Sequence, residues 1–363
     1  MTGALDGLVI ADFGRVLAGP YATMLLADLG AEVIKIERPG TGDDTRQWGP
    51  PFTDEGESTY FLSVNRNKTS RTLDLRSAEG RSAATELIAA ADVVVENFLP
   101  GAMDRLGLGY DDARALRDDV IYCSITGFGG ESTLPGYDLL IQAMSGLMSV
   151  TGPSPEQPTK VGVALIDVIT GLHAAVGILA ALRYRAETGE GQRVEVSLLG
   201  CALSALSNQT SAHLLAGVTP RATGNDHPSI SPYGVYATAD RPLVLAVGND
   251  RQFASLATVL GDEAMAADDR YATNAARVAH AEQLRGRLEA HLSRASAQEW
   301  AQRLAEVGVP AGPVNTVPEA FALAEQVGID AVADVEGTSL VANPIRLSAT
   351  PATYRTRPPR LVP

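Results

Sequence analysis

An α/β fold with a mostly parallel sheet, followed by a smaller α+β unit, is predicted by three features of the sequence. Short apolar runs alternate with helical patterns from Met1 to Gly130. A hairpin pattern, "SPYGVYATADRPLVLAVGN", appears only late in the chain, and amphipathic helical segments follow it. Alternation of the first kind demands parallel strands joined by crossover helices, and the later change of character demands a second unit.

The elements follow in order. "LVIADF" (Leu8–Phe13) is a strand-length apolar run that enters the turn "GRVLAGP". Pro20 suits the first turn of the helix "YATMLLADLG", which Gly30 ends. "AEVIKIERPG" is the next strand, closed by Pro39-Gly40, and the three elements make a βαβ unit. "SAEGRSAATELIAAA" reads as helix, "DVVVENF" as strand, "PGAMDRLG" as short helix and "DVIYCSITGFG" as strand. "KVGVALI" is rich in β-branched residues and reads as extended, and "VITGLHAAVGILAALRYR" has helical length. "GQRVEVSLLG" is a strand or helix start that leads into a linker helix. Beyond the hairpin, "RQFASLATVLG" and "SAQEWAQRLAEVG" are helices, the second opened by a capping box from Ser296 to Glu299. The smaller unit therefore runs from about Pro220 to Pro318, and the Pro-rich tail "NPIRLSATPATYRTRPPRLVP" packs back on the first.

The 363 residues carry a net charge of −14, which argues against nucleic acid as a partner, because that binding rests on Lys and Arg neutralising phosphates. A small anionic ligand remains compatible, since a local basic cluster can oppose the global sign. The two cysteines, Cys123 and Cys201, have no close partner in sequence, as expected of a reducing compartment. The five histidines, at 173, 213, 227, 280 and 291, form no local metal pair, so no metal site is expected. There is no G-x-S-x-G, no Walker A sequence and no G-x-G-x-x-G, which leaves nicotinamide chemistry without support. Val163 to Leu182 has the length of a membrane span but contains Asp167 and His173, and the opening "MTGALDGLVIADFG" lacks a basic n-region. A cytoplasmic protein that does not enter a membrane is the expectation.

Asp167 is the residue that needs explaining: a carboxylate at the junction of an extended run and a long apolar helix. As N-cap or first-turn residue it accepts backbone N–H bonds, which is the commoner use of such a position. The same geometry also keeps a desolvated carboxylate ionised, and such a carboxylate is a nucleophile toward an activated acyl group. Position alone leaves both readings open. Arg38, Lys68, Arg76 and Arg105 stand at element ends, where open α/β sheets bind ligands, although each taken singly reads as a solvated surface charge. In "PGYDLLIQAMSGLMSVTG", Asp138 reads as a helix cap and Tyr137 as a packed aromatic. The loop "RATGNDHPSISPYG" holds Gly224 in a turn context.

Five stretches together resemble the family III CoA-transferases, the CaiB–BaiF family, which includes formyl-CoA transferase and α-methylacyl-CoA racemase. They are "FGRVLAGPYATMLLADLGAEVIKIERPGTGDDTRQWGPPF", "NRNKTSRTLDLRSAEG", "DVVVENFLPGAMDRLGLGY", "GYDLLIQAMSGLMSVTG" and "KVGVALIDVITGLHAAVGILAAL", with "GVPAGPVNTVPEAF" later. The resemblance implies a Rossmann-like large domain over residues 1–200, completed by the C-terminal segment 330–363, and a small domain over 220–318. It also implies an interlocked homodimer and a CoA thioester as substrate, with no tightly bound cofactor. By the motif match Asp167 falls on the catalytic aspartate, which passes through an aspartyl anhydride and an aspartyl-CoA thioester. Arg38, Leu73, Arg76, Asn97, Phe98 and Arg105 fall on CoA contacts. Val16, Leu17 and Tyr137 fall near the thioester, and Gly224 in a glycine loop that covers the aspartate.

The departures narrow the reading. Leu17 replaces the Gln of formyl-CoA transferase and "TGNDHP" its run of glycines, which argues against oxalate. Tyr137 replaces the racemase His, and Asn249 and Asp250 stand near its Glu, so the pair of bases a racemase needs is incomplete. The wording of "GYDLLIQAMSGLM" and "VGVALIDVITG" looks most like members that use dicarboxylyl-CoA donors such as succinyl-CoA. An acyl-CoA:carboxylate CoA-transferase is thus the expectation. The alternatives are a racemase or isomerase using Asp167 as base, and a CoA-binding protein without turnover, the latter motivated by the short connection "FGGESTLPGYD" and a short C-terminus.

Overall fold

The computed structural model describes residues 3–361. They fall into two compact units, one bounded as Met1–Leu147, Lys160–Thr219 and Gly328–Pro363, the other as Met148–Thr159 and Pro220–Val327. The sheet of the first unit has six strands: β1 (Val9–Asp12), β2 (Glu32–Glu37), β3 (Lys68–Thr72), β4 (Val93–Glu96), β5 (Ile121–Thr126) and β6 (Arg193–Ser197). All pair in parallel, in the order β3-β2-β1-β4-β5-β6. The order reverses between β1 and β4, and a crevice opens outside the carboxyl ends of strands that diverge in this way.

Both faces of the central strands are covered, which is why they read as continuous apolar runs. Alternate residues divide between two cores: Ile10, Val93, Val95 and Ile121 on one face, Ala11, Val94 and Tyr122 on the other. The helices of this unit are α1 (Ala18–Asp28), α2 (Thr59–Ser63), α3 (Ala78–Ala90), α4 (Ala102–Arg105), α5 (Tyr110–Leu116), α6 (Asp138–Met144), α7 (Leu165–Thr188), α8 (Leu198–Ala205) and α9 (Asn208–Ala216). α7 is long and apolar enough to cross a membrane, but Ile166, Ala174, Ile178 and Ala181 along it are buried in the first core. It packs closely on α1, because a Cβ at Gly171 would stand 2.7 Å from the carbonyl oxygen of Ala18. That close approach fixes the start of α7 beside the start of α1.

Strand β3 has no apolar pattern, and nothing in "KTSRT" announces it. It is an edge strand held by backbone pairing to β2. Lys68, expected at a ligand-facing element end, is instead fully enclosed. Its Nζ donates to Asp12 Oδ2 at 3.1 Å, to Pro20 O at 2.8 Å and to Asn65 Oδ1 at 3.0 Å. Burial pulls its ammonium down to about 8, against the pull of Asp12. The residue supports the sheet rather than a ligand.

The tail is fastened to the first unit by Asp28 at the end of α1. Its buried carboxylate accepts from Arg66 Nε at 2.9 Å and Nη2 at 2.6 Å, from Asn67 Nδ2 at 2.8 Å and from Asn343 Nδ2 at 3.1 Å. The Asp28 carbonyl takes the N–H of Thr353 at 2.8 Å.

In the second unit, β7 (Tyr233–Tyr236), β8 (Leu243–Ala246) and β9 (Ala311–Pro313) form an antiparallel sheet in that order. The hairpin is the one its alternation predicts, and β9 adds a third strand too short to show a pattern. Helices α10 (Asp250–Leu260), α11 (Glu263–Ala266), α12 (Asn274–Ala279), α13 (Ala281–Leu292), α14 (Ala297–Glu306) and α15 (Val317–Gln326) complete it around Phe253, Leu288, Trp300 and Leu304. The capping box of α14 is present, with Glu299 N donating to Ser296 Oγ and Ser296 N to Glu299 Oε2. A last hairpin, β10 (Val332–Val335) and β11 (Thr338–Val341), belongs to the first unit.

Candidate active site

The loop from β1 to α1 is held in an unusual shape. Val16 has φ +66°, the left-handed region that a β-branched residue avoids, at a cost of order 1–3 kcal/mol. Its N–H is held by Asp43, whose carboxylate oxygens lie 3.2 and 3.3 Å away. Asp43 is buried and paired with Lys35 Nζ at 2.8 Å, and the same ammonium donates to Gly14 O at 2.8 Å. Burial alone would raise the Asp43 carboxyl, but the Lys35 charge and the Thr45 hydrogen bonds outweigh it and hold the group below its ordinary value. From the end of β4, Asn97 accepts from Arg15 N at 2.8 Å and donates to Arg15 O at 2.7 Å. The two strands at the reversal point are thus laced together by side chains.

Two cavities open there. One, of about 270 Å³, is lined by Val16, Leu17, Asn97, Tyr137, Asp138 and Asp167 among others. The other, of about 630 Å³, takes Arg38, Pro39, Leu73, Leu75 and Arg76 into its wall. Arg15 and Phe98 line both, with the guanidinium 4.8 Å from the centre of the Phe98 ring. The arrangement is a narrow acidic chamber that shares two wall residues with a wider cleft, whose lining carries three arginines, Arg15, Arg38 and Arg76, against Glu37 and Asp74.

Asp167 is the third residue of α7, after Ala164 at the cap position, and no side chain of the helix caps it. Asp138 does so instead. Its Oδ1 accepts from Ile166 N at 2.8 Å and Asp167 N at 3.2 Å, and its Oδ2 from Gln142 Nε2 at 2.5 Å. Gln142 Oε1 in turn accepts from Val161 N at 2.9 Å, so "KVGVALI" is a pinned, bent loop as far as Ala164 and then the start of α7, rather than the extended run its composition suggests.

The expectation that the helix terminus would keep Asp167 ionised is therefore corrected. The N–H groups at the terminus already serve Asp138, while Asp167 shares the chamber wall with Leu17 and acts on the nearby Tyr60. Burial first, and then the charge of Asp138, push its carboxyl up to about 7. The Tyr60 phenol is raised to about 12, by burial and then by Asp167 and Asp138. The ionised fraction of such a carboxyl, poorly hydrated in its chamber, is the form able to attack an activated acyl group.

Residues 5–362 match CoA-transferase family III. The chain belongs to that family. It is 43% identical to succinate–glutarate CoA-transferase of Agrobacterium fabrum, over 98% of this chain and 92% of that protein. It is 39% identical to acetyl-CoA:oxalate CoA-transferase of Acetobacter aceti, over 95% of this chain and 90% of the other. The crystal structure of a CaiB/BaiF family protein from Brucella suis superimposes with a TM-score of 0.91 at 43% identity, over 99% of this chain and 97% of that one.

In this family III CoA-transferase, most of the residues expected to meet the CoA thioester gather outside β1 and β4. Eight of the ten expected binding residues line the two cavities: Val16, Leu17, Asn97, Phe98 and Tyr137 at the chamber, Arg38, Leu73 and Arg76 at the cleft. Asn97 is nevertheless occupied by the backbone of Arg15, so it shapes the wall more than it offers a free amide. Arg105 is exposed on α4 and lines neither cavity, although Leu106 beside it does. Gly224 stands in the second unit with φ +64° and its N–H on Gly152 O at 3.1 Å. Tyr137 is 66% exposed, not a packed aromatic. Sequence reasoning missed Arg15, Tyr60 and Gln142. Only Arg15 carries a local signal, a cation directly after the first strand. Among the described residues no cluster is suited to hold a metal ion.

Proposed function

We propose that this CoA-transferase moves CoA from a dicarboxylyl-CoA donor of the succinyl-CoA type to a carboxylic acid, with Asp167 as nucleophile. The observation that carries the reading is the placement of Asp167 in a chamber that shares Arg15 and Phe98 with the cleft lined by Arg38 and Arg76. The relatives named for succinate and glutarate support the donor class. Asp167 Oδ attacks the thioester carbonyl, the C–S bond breaks, and CoA leaves as thiolate. The thiolate then attacks the Asp167 carbonyl carbon of the anhydride, releasing the donor acid and leaving CoA on the enzyme. The acceptor carboxylate repeats the two steps in reverse and restores free Asp167.

A matrix of acyl-CoA donors and carboxylic acids, read by mass spectrometry, tests the reading. Exchange from succinyl-CoA or glutaryl-CoA supports it. Deuterium entering the α-carbon without any acceptor acid would assign an isomerase instead.

Only the ionised carboxylate attacks, so the raised Asp167 carboxyl sets the pH dependence. kcat/KM for the donor should rise with pH through a midpoint of about 7. Asp138→Asn removes the second cause of the shift and should move that midpoint to lower pH. A profile that stays level between about pH 5 and 8 in wild type contradicts the assignment.

Arg38 and Arg76 bind the charged nucleotide part of CoA in this reading. Losing one charge-assisted bond costs about 1.5–3 kcal/mol, so Arg38→Ala should raise KM for the donor by about tenfold or more with little change in kcat. Arg105→Ala, measured beside it, decides whether that exposed residue also reaches the nucleotide.

The native species is a homodimer in this reading, in the cytoplasm. Its support is the family's threaded topology and the exposed Leu172, Val176 and Leu179 on α7, an apolar stripe that water alone would not leave open. Sedimentation at micromolar concentration should find no folded monomer, and a stable monomer refutes the dimer.

A further inference from the structure

The chamber that holds Asp167 has an unbalanced wall. Three carboxylates line it, Asp44, Asp138 and Asp167, and among the described residues one cation does, Arg15. A dicarboxylyl donor carries a free carboxylate into this chamber, and a dicarboxylic acceptor later carries in another. A carboxylate that leaves water without a hydrogen-bonded counter-charge is strongly disfavoured, and here it would also face like charges.

Arg15 is built to meet it. Its backbone is clamped on both sides by Asn97, so the side chain departs from a fixed point. Its guanidinium lies over the Phe98 ring, which orients the plane. Within the described residues that guanidinium makes no hydrogen bond; its one ion pair is loose, with Nη1 3.6 Å from Asp44 Oδ2. Asp44 meanwhile is closely engaged by Arg38. An arginine with its fork of donors unspent, at the mouth of the reaction chamber, offers the planar bidentate partner that a carboxylate prefers. The nucleotide cleft has Arg38 and Arg76 of its own, so Arg15 is not needed there as the sole counter-charge.

We propose that Arg15 is the specificity-determining residue that recognises the non-reacting carboxylate of dicarboxylic acyl groups, first on the donor and then on the acceptor. This rests on the CoA-transfer reading above. A monoacyl group has no such carboxylate and gains nothing from Arg15, so the residue discriminates between the two classes.

The test compares succinyl-CoA with butyryl-CoA as donors, at one acceptor, in wild type, Arg15→Gln and Arg15→Lys. In Arg15→Gln, the kcat/KM preference for succinyl-CoA over butyryl-CoA should fall by about tenfold or more, the loss expected of one charge-assisted pair, whatever smaller loss the two donors share. Arg15→Lys should recover part of the difference, since it keeps the charge and loses the fork. An equal loss with both donors overturns the proposal and makes Arg15 a CoA contact or a loop support. No loss with either donor overturns it as well.

A binding measurement that needs no turnover separates this idea from the transfer reading. Calorimetric affinity for succinate in the presence of CoA should fall by about tenfold in Arg15→Gln, well beyond any change in the affinity for CoA alone. If wild type shows that succinate affinity but exchanges no CoA, the transfer reading fails and the recognition role stands. If succinate binds both proteins equally, the recognition role fails.

Discussion

Asp167→Asn abolishes CoA exchange while the protein stays folded and still binds CoA. The expected loss in kcat is at least about 10⁴-fold, the scale seen when a nucleophile is removed from an enzyme that forms a covalent intermediate. Stability points the same way, and this separates the nucleophile from a structural cap. Among the described residues the Asp167 side chain accepts no hydrogen bond, and the helix N–H groups it might have capped are held by Asp138. Its carboxyl is raised in the folded protein by burial and by the Asp138 charge, so folding favours the protonated form. Stability from this group is therefore full below the ordinary carboxylate pKa and falls as pH rises toward about 7. Asparagine removes that loss, so at pH 8 the variant should melt at the wild-type Tm or above it. A lower Tm with most exchange retained would mean that Asp167 is a cap and nothing more. In wild type, hydroxylamine added with donor acyl-CoA should leave an aspartyl hydroxamate at this position, and in the variant none.

Such a residue is costly to the fold and valuable to the chemistry, which is the signature that let it stand out in the sequence. A carboxylate inside an apolar run breaks the local pattern, and local patterns are what a sequence displays. The same holds for the fold: β1, β2, β4 and β5 announce themselves because both faces are buried, and α14 because its capping box is written in adjacent residues. β3 does not, because an edge strand is held by backbone bonds that any side chain permits. The cause of the Asp167 shift was also hidden. Asp138 and Asp167 are 29 positions apart, and only the fold of α6 against the start of α7 turns one into the cap and the other into the strained acid. Lys68 shows the limit from the other side: an ordinary surface residue by type and context, it is enclosed because Asp12, Pro20 and Asn65 converge on it from separate elements.

Asp43→Ala should be the most damaging change outside the chamber's own reactive group, through stability and activity together. Removing one partner of a buried ion pair leaves the other uncompensated, at a cost of about 3–5 kcal/mol. Here the survivor is Lys35, which would keep its hydrogen bond to the Gly14 carbonyl and the weaker pull of Asp12 and Glu37, but no direct ion-pair partner. The pair's contribution is present at neutral pH. It is lost on acidification through the folded pKa of Asp43, which Lys35 and Thr45 hold below its ordinary value against burial. Two causes are mixed in the single variant, and a second variant parts them. Lys35→Met with Asp43→Leu replaces both charges by apolar groups, and such replacements are often neutral or stabilising. Most of the lost stability should therefore return, as read by the urea midpoint. Exchange should not, because the N–H of Val16 still lacks its acceptor. A β-branched residue at φ +66° without that acceptor relaxes toward the ordinary β or α regions, and the wall shared by Arg15, Val16 and Leu17 moves with it. Donor KM should stay raised and kcat depressed in a protein that melts like wild type. Full exchange in the double variant would show that the Lys35–Asp43 pair only supports the sheet, and that the left-handed turn at Val16 holds without it.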